Sequence, residues 1–332
     1  MKKELLNYIN CPICQGSSFA IKEDENNDGV IKEGKIICLK CNNIYKISKG
    51  IIYLFEKISD IALKEKESHE QEIINDKKIS NFQDENWVLN YPHVAQMGID
   101  DRSERTGKLI SENTELSLKK FITKDNSVIL EIGAGKCWVM SMLAKNNYCI
   151  ALDILTMMPI GLEAGEIYIK NKNIFFERVS ADMIKLPFKD QIFDYVIISS
   201  SLHHSPDLDK TLSEVKRVLK SNGQFVLLNE PYQGLLGSQE RARAEADFKS
   251  GLNEKRYTIK NWNKYFSSSG FKIKIFLPEN LLSILKTKGW IFKKIALFLS
   301  FPLFFKIFVP PFKLIIFQLF DGYFNAVLQK EK

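Results

Sequence analysis

Between Ser127 and Glu230 short apolar runs alternate with stretches in which apolar residues recur every third or fourth position. The runs SVILEIG (127–133), YCIALDI (148–154), NIFFERVSA (173–181), FDYVIISSS (193–201) and GQFVLLNE (223–230) read as strands buried on both faces. Between the last two, Leu208, Leu212, Val215 and Leu219 line one face of a helix. Asp207 is its candidate N-cap, and Gly223 follows its end. Strand–helix alternation of this kind predicts a parallel sheet covered by helices on both sides. Two more strands, GFKIKIFL (270–277) and YFNAVLQK (323–330), stand more than forty residues apart. The pattern before Ser127 is different. Residues 1–56 carry CPIC and CLKC on either side of the polar stretch EDENNDGVIKEG, which predicts a hairpin tip. Residues 57–120 are charged and helical, and are expected to form a linker and cap.

Composition narrows the class. At 332 residues, with 45% hydrophobic and 26% charged positions, the chain has room for one large domain and a small one. The net charge of +7 is uneven, since the stretch from Glu279 onward holds eight lysines and three acids. A basic surface for nucleic acid is therefore not expected, whereas a local basic and apolar region is. The opening MKKELLNYINC has no apolar run of export-signal length, so a cytoplasmic location is expected. In that setting the pairs Cys11/Cys14 and Cys38/Cys41 read as ligands of one tetrahedral Zn²⁺. Four thiolates close the coordination sphere, which makes the site structural. Cys137 and Cys149 read as small apolar residues.

The chemistry concentrates in VILEIGAGKCW (128–138). A strand running through Gly133-x-Gly135 into a helix suits a nucleotide-like ligand. A dinucleotide fingerprint would need a third glycine where Trp138 stands. Asp153 ends the next strand, 20 residues past Gly133. Downstream come SADMIKLPFKDQIFDYVIISSSLHH (180–204) and EVKRVLKSNGQFVLLNEP (214–231). Taken in order, 127–231 resembles the class I S-adenosylmethionine (SAM)-dependent methyltransferases. More narrowly, it resembles the type 11 group, which includes the ubiquinone and menaquinone biosynthesis enzymes. The resemblance implies a Rossmann-like seven-stranded α/β sheet, with the methyltransferase domain spanning 121–332 and interrupted at 280–320. It implies that Glu131, Gly133 and Gly135 surround the methionine part of SAM. Asp153 would accept the ribose hydroxyls, Asp182 and Met183 would meet the adenine, and Ser199 and Ser200 would face cofactor and acceptor. Lys136 and Cys137 depart from the family, which has a small polar residue and a third glycine there. His203 and His204 follow the fourth strand and are the candidates for a general base, with Glu230 and Tyr232 as further ones. The run CNNIYKISKGIIYL (41–54) resembles the zinc-ribbon activator subunit of tRNA and protein methyltransferases, with Lys46 and Ile52 where prolines are common.

The segment Asn280–Phe320 holds nine of the 23 phenylalanines, six lysines and no acid. Its longest apolar run, IALFLSFPLFF, has eleven residues and is too short to span a bilayer. Lys293, Lys294, Lys306 and Lys313 interrupt the apolar stretches, and Pro302, Pro310 and Pro311 break them. An apolar helical insert touching a membrane from its inner face is one expectation; a lid or a dimer face are the others. The acceptor expected is a small molecule or a lipid-linked one. A scaffold without catalysis and an RNA methyltransferase are the alternatives; the fourth strand ends ISSSLHH and carries no Asn-Pro-Pro-Tyr element.

Overall fold

The computed structural model describes residues 1–75, 85–90, 101–235, 255–287, 290–301, 307, 309 and 321–331. Four strands come first: β1 (Phe19–Asn27), β2 (Val30–Cys38), β3 (Ile44–Ser48) and β4 (Ile51–Tyr53). The apolar runs then give β5 (Val128–Ile132), β6 (Tyr148–Asp153), β7 (Glu177–Ser180), β8 (Phe193–Ser199) and β9 (Leu219–Tyr232). The last pair is β10 (Phe271–Phe276) and β11 (Gly322–Lys330).

The order β7-β6-β5-β8-β9-β11-β10 is a doubly wound sheet. Neighbours run parallel as far as β9, and β11 enters antiparallel between β9 and β10. The sheet does not stop at seven strands. β4 pairs parallel with β7, Ile51 opposite Arg178 and Tyr53 opposite Ser180, so β1–β4 extend it to 11. The seven-strand expectation is corrected here. The physical reason is that β7 would otherwise be an edge with open N–H and C=O groups. A run as short as Ile51-Ile52-Tyr53 has no periodicity that could foretell its partner.

The apolar side chains follow the same continuity. On one face of the sheet Leu5, Ile9, Ile36, Ile47 and Ile52 share a buried cluster with Leu130, Ile150, Val179, Phe188 and Phe193. On the other face Ile129, Ala151 and Ile197 pack under α4 (Trp138–Leu143) and α5 (Gly165–Lys172). The segment before β5 supplies α1 (Asp60–Asn75), α2 (Glu85–Asn90) and α3 (Asp101–Phe121). α3 is tied to the sheet by buried amides. Asn113 Nδ2 donates to Asn229 Oδ1 (2.7 Å) and Asn325 Oδ1 (2.9 Å), and Asn229 Nδ2 donates to Thr114 Oγ1 (2.7 Å). Satisfied in this way, buried amides hold one register where an apolar contact would allow several.

Helix α6 (Leu208–Val218) begins as expected, with Asp207 accepting from the Lys210 N–H at 3.1 Å. Its end differs. The chain is extended from Leu219, and Gly223 lies inside β9 with its Cα hydrogens against Leu219 and the Phe193 carbonyl. After α7 (Ile259–Ser268), α8 (Leu281–Thr287) and α9 (Trp290–Leu299) form the described part of the insert between β10 and β11. Among the described residues no helix is long and apolar enough to cross a membrane. The expected run past Phe301 lies mostly outside the described residues.

Candidate active site and metal centre

The ends of β5, β6, β7 and β8 meet at one edge of the sheet. Gly133 (φ +70°) and Gly135 (φ +47°) turn the chain out of β5, and Cys137 (φ +64°) starts α4. A Cβ on Gly133 would stand 2.3 Å from Ser201 Oγ, so this turn admits no side chain. Asp153 receives this loop: its Oδ2 accepts from the Gly135 N–H (2.7 Å) and its Oδ1 from the Leu155 N–H (2.8 Å). Each oxygen keeps a second lone pair for a further donor. Burial raises the Asp153 pKa against those bonds. Glu131 sits behind it, 3% exposed, and its Oε2 is buried without a hydrogen-bond partner. Burial, then the charge of Asp153, pushes the Glu131 carboxyl well above its usual range. Two buried carboxyls beside a glycine cradle suit a cationic ligand, which would relieve both terms. SAM, carrying a sulfonium and an ammonium, fits that requirement.

The two departures from the family pattern point elsewhere. Cys137 is fully buried, its Sγ facing Gly165 at the base of α5. The Lys136 ammonium lies 4.2 Å from the Trp87 ring centroid on α2, and burial lowers its pKa to about 7.

Asp182 follows β7. Its Oδ2 accepts from the Ser59 N–H at 3.0 Å and its Oδ1 from the Ile184 N–H at 3.2 Å. Met183, next to it, packs half-buried against the sheet. Ser199 is half-buried at the end of β8; Ser200 (φ +50°) donates from Oγ to the Asn229 carbonyl at 2.9 Å. Cys137, Ser200 and Asn229 (φ +54°) are thus non-glycine residues in the left-handed region. For Cys137 and Ser200 this costs about 1–2 kcal/mol each, whereas Asn adopts the region readily.

The two histidines are held differently. His203 is 5% exposed, and its Nδ1 lies 2.7 Å from Glu230 Oε1. The same carboxylate accepts from the backbone N–H of His203 (2.8 Å) and of Leu202 (3.3 Å). His204 Nδ1 lies 2.7 Å from Glu65 Oε1 of α1, a close approach that falls short of hydrogen-bond geometry. The two rings are 4.1 Å apart. The contact with Glu230 Oε1 assigns the His203 ring proton to Nδ1. Tyr232 is 3% exposed, its ring tilted 59° to that of Phe324 at 6.3 Å, on the core side.

Ser59, Glu65, Trp87 and Ser201 are the residues that sequence reasoning missed. The first three lie in the charged stretch before β5 and reach the site only through the fold. Ser201 reads in the sequence only as the end of a strand; its Oγ donates to the Ile132 carbonyl at 3.2 Å and packs on Gly133.

In the ribbon, each cysteine pair sits on a tight turn: the Gln15 N–H donates to the Cys11 carbonyl (2.9 Å) and the Asn42 N–H to the Cys38 carbonyl (2.8 Å). All four sulfurs lie within 4.8 Å of one another, with Cys11–Cys41 and Cys14–Cys38 at 3.5 Å. A zinc tetrahedron with bonds of about 2.3 Å has edges of about 3.8 Å, so this donor set fits Zn²⁺. Tyr45 Oη (2.9 Å from Cys11 Sγ) and Asn43 Nδ2 (3.1 Å from Cys41 Sγ) support the ligands from outside.

Residues 130–227 match the family described as a methyltransferase domain. This match and the order of the parallel strands fit a class I SAM-dependent methyltransferase domain. An uncharacterized protein of Methanocaldococcus jannaschii is 28% identical over 203 residues, which are 61% of this chain and 81% of that protein. A demethylmenaquinone methyltransferase of Staphylococcus saprophyticus is 30% identical over 145 residues. That match takes in 41% of this chain and 60% of the enzyme. The methyltransferase-domain fold also appears in phosphoethanolamine N-methyltransferase 2 of Haemonchus contortus, solved in complex with S-adenosyl-L-methionine. The TM-score is 0.51 at 15% identity, covering 79% of this chain and 60% of that one, and the likeness is one of fold.

Proposed function

We propose that the chain transfers a methyl group from SAM to a small-molecule or lipid-linked acceptor. The observation that carries the reading is the Glu131–Asp153 pair behind the Gly133–Gly135 cradle. When bound, SAM supplies an electrophilic methyl group on a sulfonium. Glu131 would hold the cationic methionine end. Asp153, already fixed by two N–H donors, would accept the ribose hydroxyls, and Asp182 and Met183 would border the adenine. Ser199 and Ser200 would line the passage to the acceptor.

Placing acceptor and methyl in line supplies about 7–11 kcal/mol of such a barrier without covalent help. A proton must still leave a hydroxyl or acidic carbon acceptor. His204 is the better placed base, since its side chain is 23% exposed whereas that of His203 is 6%. His203, fastened by Glu230, positions the turn. The four cysteines would hold a structural zinc. α1 and α2 close over the strand ends through Ser59, Glu65 and Trp87.

Calorimetric titration with S-adenosylhomocysteine tests the cofactor site. We expect binding by the native chain and a loss of tenfold or more in Asp153→Ala, about 1.4 kcal/mol. A folded, zinc-loaded chain that does not bind it would leave a methyltransferase-like scaffold, and the proposal would fall.

A further inference from the structure

Helix α9 carries apolar side chains on opposite sides. Inward, Ala296 and Leu299 are buried, Leu299 in a small cluster with Leu281 and Val309. Outward, Trp290, Leu297 and Phe298 are exposed by 66%, 67% and 43%, and Phe301, two residues past the end of the helix, by 60%. The spacing of Trp290, Lys294, Leu297 and Phe298 keeps these four on one helical face. The Lys294 ammonium sits 4.7 Å from the Trp290 ring centroid, and Lys293 is exposed beside it. A surface helix ordinarily turns polar residues to water; an exposed stripe of large apolar side chains marks an interaction surface.

Charge selects what covers it. Residues 280–320 hold six lysines and no acid. A second copy docking by this face would gather four lysines, Lys293 and Lys294 from each copy, in one interface to which 280–320 brings no acid. An anionic lipid surface meets both demands: acyl chains receive the apolar stripe and phosphates receive the lysines. At ten residues α9 is about 15 Å long, right for lying in the interface and too short to cross it. Tryptophan beside lysine is the pairing that headgroup regions favour.

We propose that the insert is a monotopic anchor seating the Trp290/Leu297 face of α9, with Phe301 just past its end, in an anionic membrane surface, and that the methyl acceptor is drawn from that membrane. The second half rests on the methyltransferase reading; the anchor itself does not.

The test is co-sedimentation of the full chain with phosphatidylcholine vesicles, with and without about one third phosphatidylglycerol. Binding is expected to the anionic vesicles alone. It should weaken about tenfold in Lys293→Glu/Lys294→Glu and in Trp290→Ser/Leu297→Ser/Phe301→Ser. All the altered side chains are exposed, so melting temperatures should stay at the native value, which separates lost binding from lost folding. A chain that stays in the supernatant with both vesicles overturns the anchor, as does pelleting that both variants leave unchanged. Self-association without vesicles, seen by analytical ultracentrifugation and abolished by the serine variant, would assign the face to a second copy instead. Vesicle binding by a chain that ignores S-adenosylhomocysteine keeps the anchor and removes the lipid acceptor; the reverse result removes the anchor and keeps the methyltransferase.

Discussion

Gly133→Ala isolates the tightest point of the cradle. The backbone there has φ +70°, where an L side chain costs about 1–2 kcal/mol. The new Cβ would also lie 2.3 Å from Ser201 Oγ and 2.7 Å from Ser201 Cβ. Rotating the hydroxyl away relieves the first contact at the loss of its bond to the Ile132 carbonyl, about 1 kcal/mol. The second contact yields only to backbone movement. A destabilisation of about 2–3 kcal/mol is therefore the least expected. Because the same movement displaces Gly135 from Asp153, S-adenosylhomocysteine binding should fall with it. Urea unfolding of Gly133→Ala, Ser201→Gly and the double variant closes a cycle. The double variant should recover about 1 kcal/mol or more relative to the sum of the singles, leaving the left-handed strain. A single variant within about 0.5 kcal/mol of native, or an additive cycle, would refute the steric account.

Two further outcomes bear on the ribbon and its seam with the sheet. A chromophoric chelator should withdraw a single zinc from Cys11, Cys14, Cys38 and Cys41. Because the ribbon side chains share the sheet's own core, the melting temperature of the whole chain should drop by about 5 °C or more; metal-free protein with an unchanged melt would sink that coupling. At the seam, burial raises Glu177 from 4.5 to about 7, outweighing the Met1 ammonium and the Lys2 N–H that pull it down. A carboxyl with a raised folded pKa adds stability below its unfolded value and loses it as pH rises through the folded one. Relative to Glu177→Gln, the native chain should therefore lose stability between about pH 4.5 and 7, read from urea midpoints across that window. A difference that stays flat would mean that Glu177 titrates normally.

How much of this was legible depends on range along the chain. The cradle was readable because strand, turn and helix follow one another within eleven residues, each with its own local signature. Asp207 was readable as a cap for the same reason, and the cysteine pairs because their spacing is itself the geometry. Gly223 misled, since a glycine after an apolar helix resembles a stop signal, while the chain had already turned extended at Leu219. The failures lie at long range. Ser59 reaches Asp182 across 123 residues and Glu65 reaches His204 across a longer span; no local period encodes either meeting. The addition of β4 to β7 is of the same kind: Ile51 and Ile52 are apolar in any small ribbon, and only the open edge beside them makes them part of a larger sheet.

The seam between β4 and β7 also sets an order of events during synthesis. Ile51 leaves the ribosome about 127 residues before Arg178, its partner. At about 5–20 residues per second that is a wait of some 6–25 seconds. The cysteine knuckles are complete at the start of this interval and can capture metal at once, while the strand they present has nothing to pair with. For those seconds Ile51 and Ile52 form an open, apolar edge on a nascent chain. The next stretch to emerge, 57–75, is rich in charged residues and folds as helix α1, so it supplies no strand to compete for that edge.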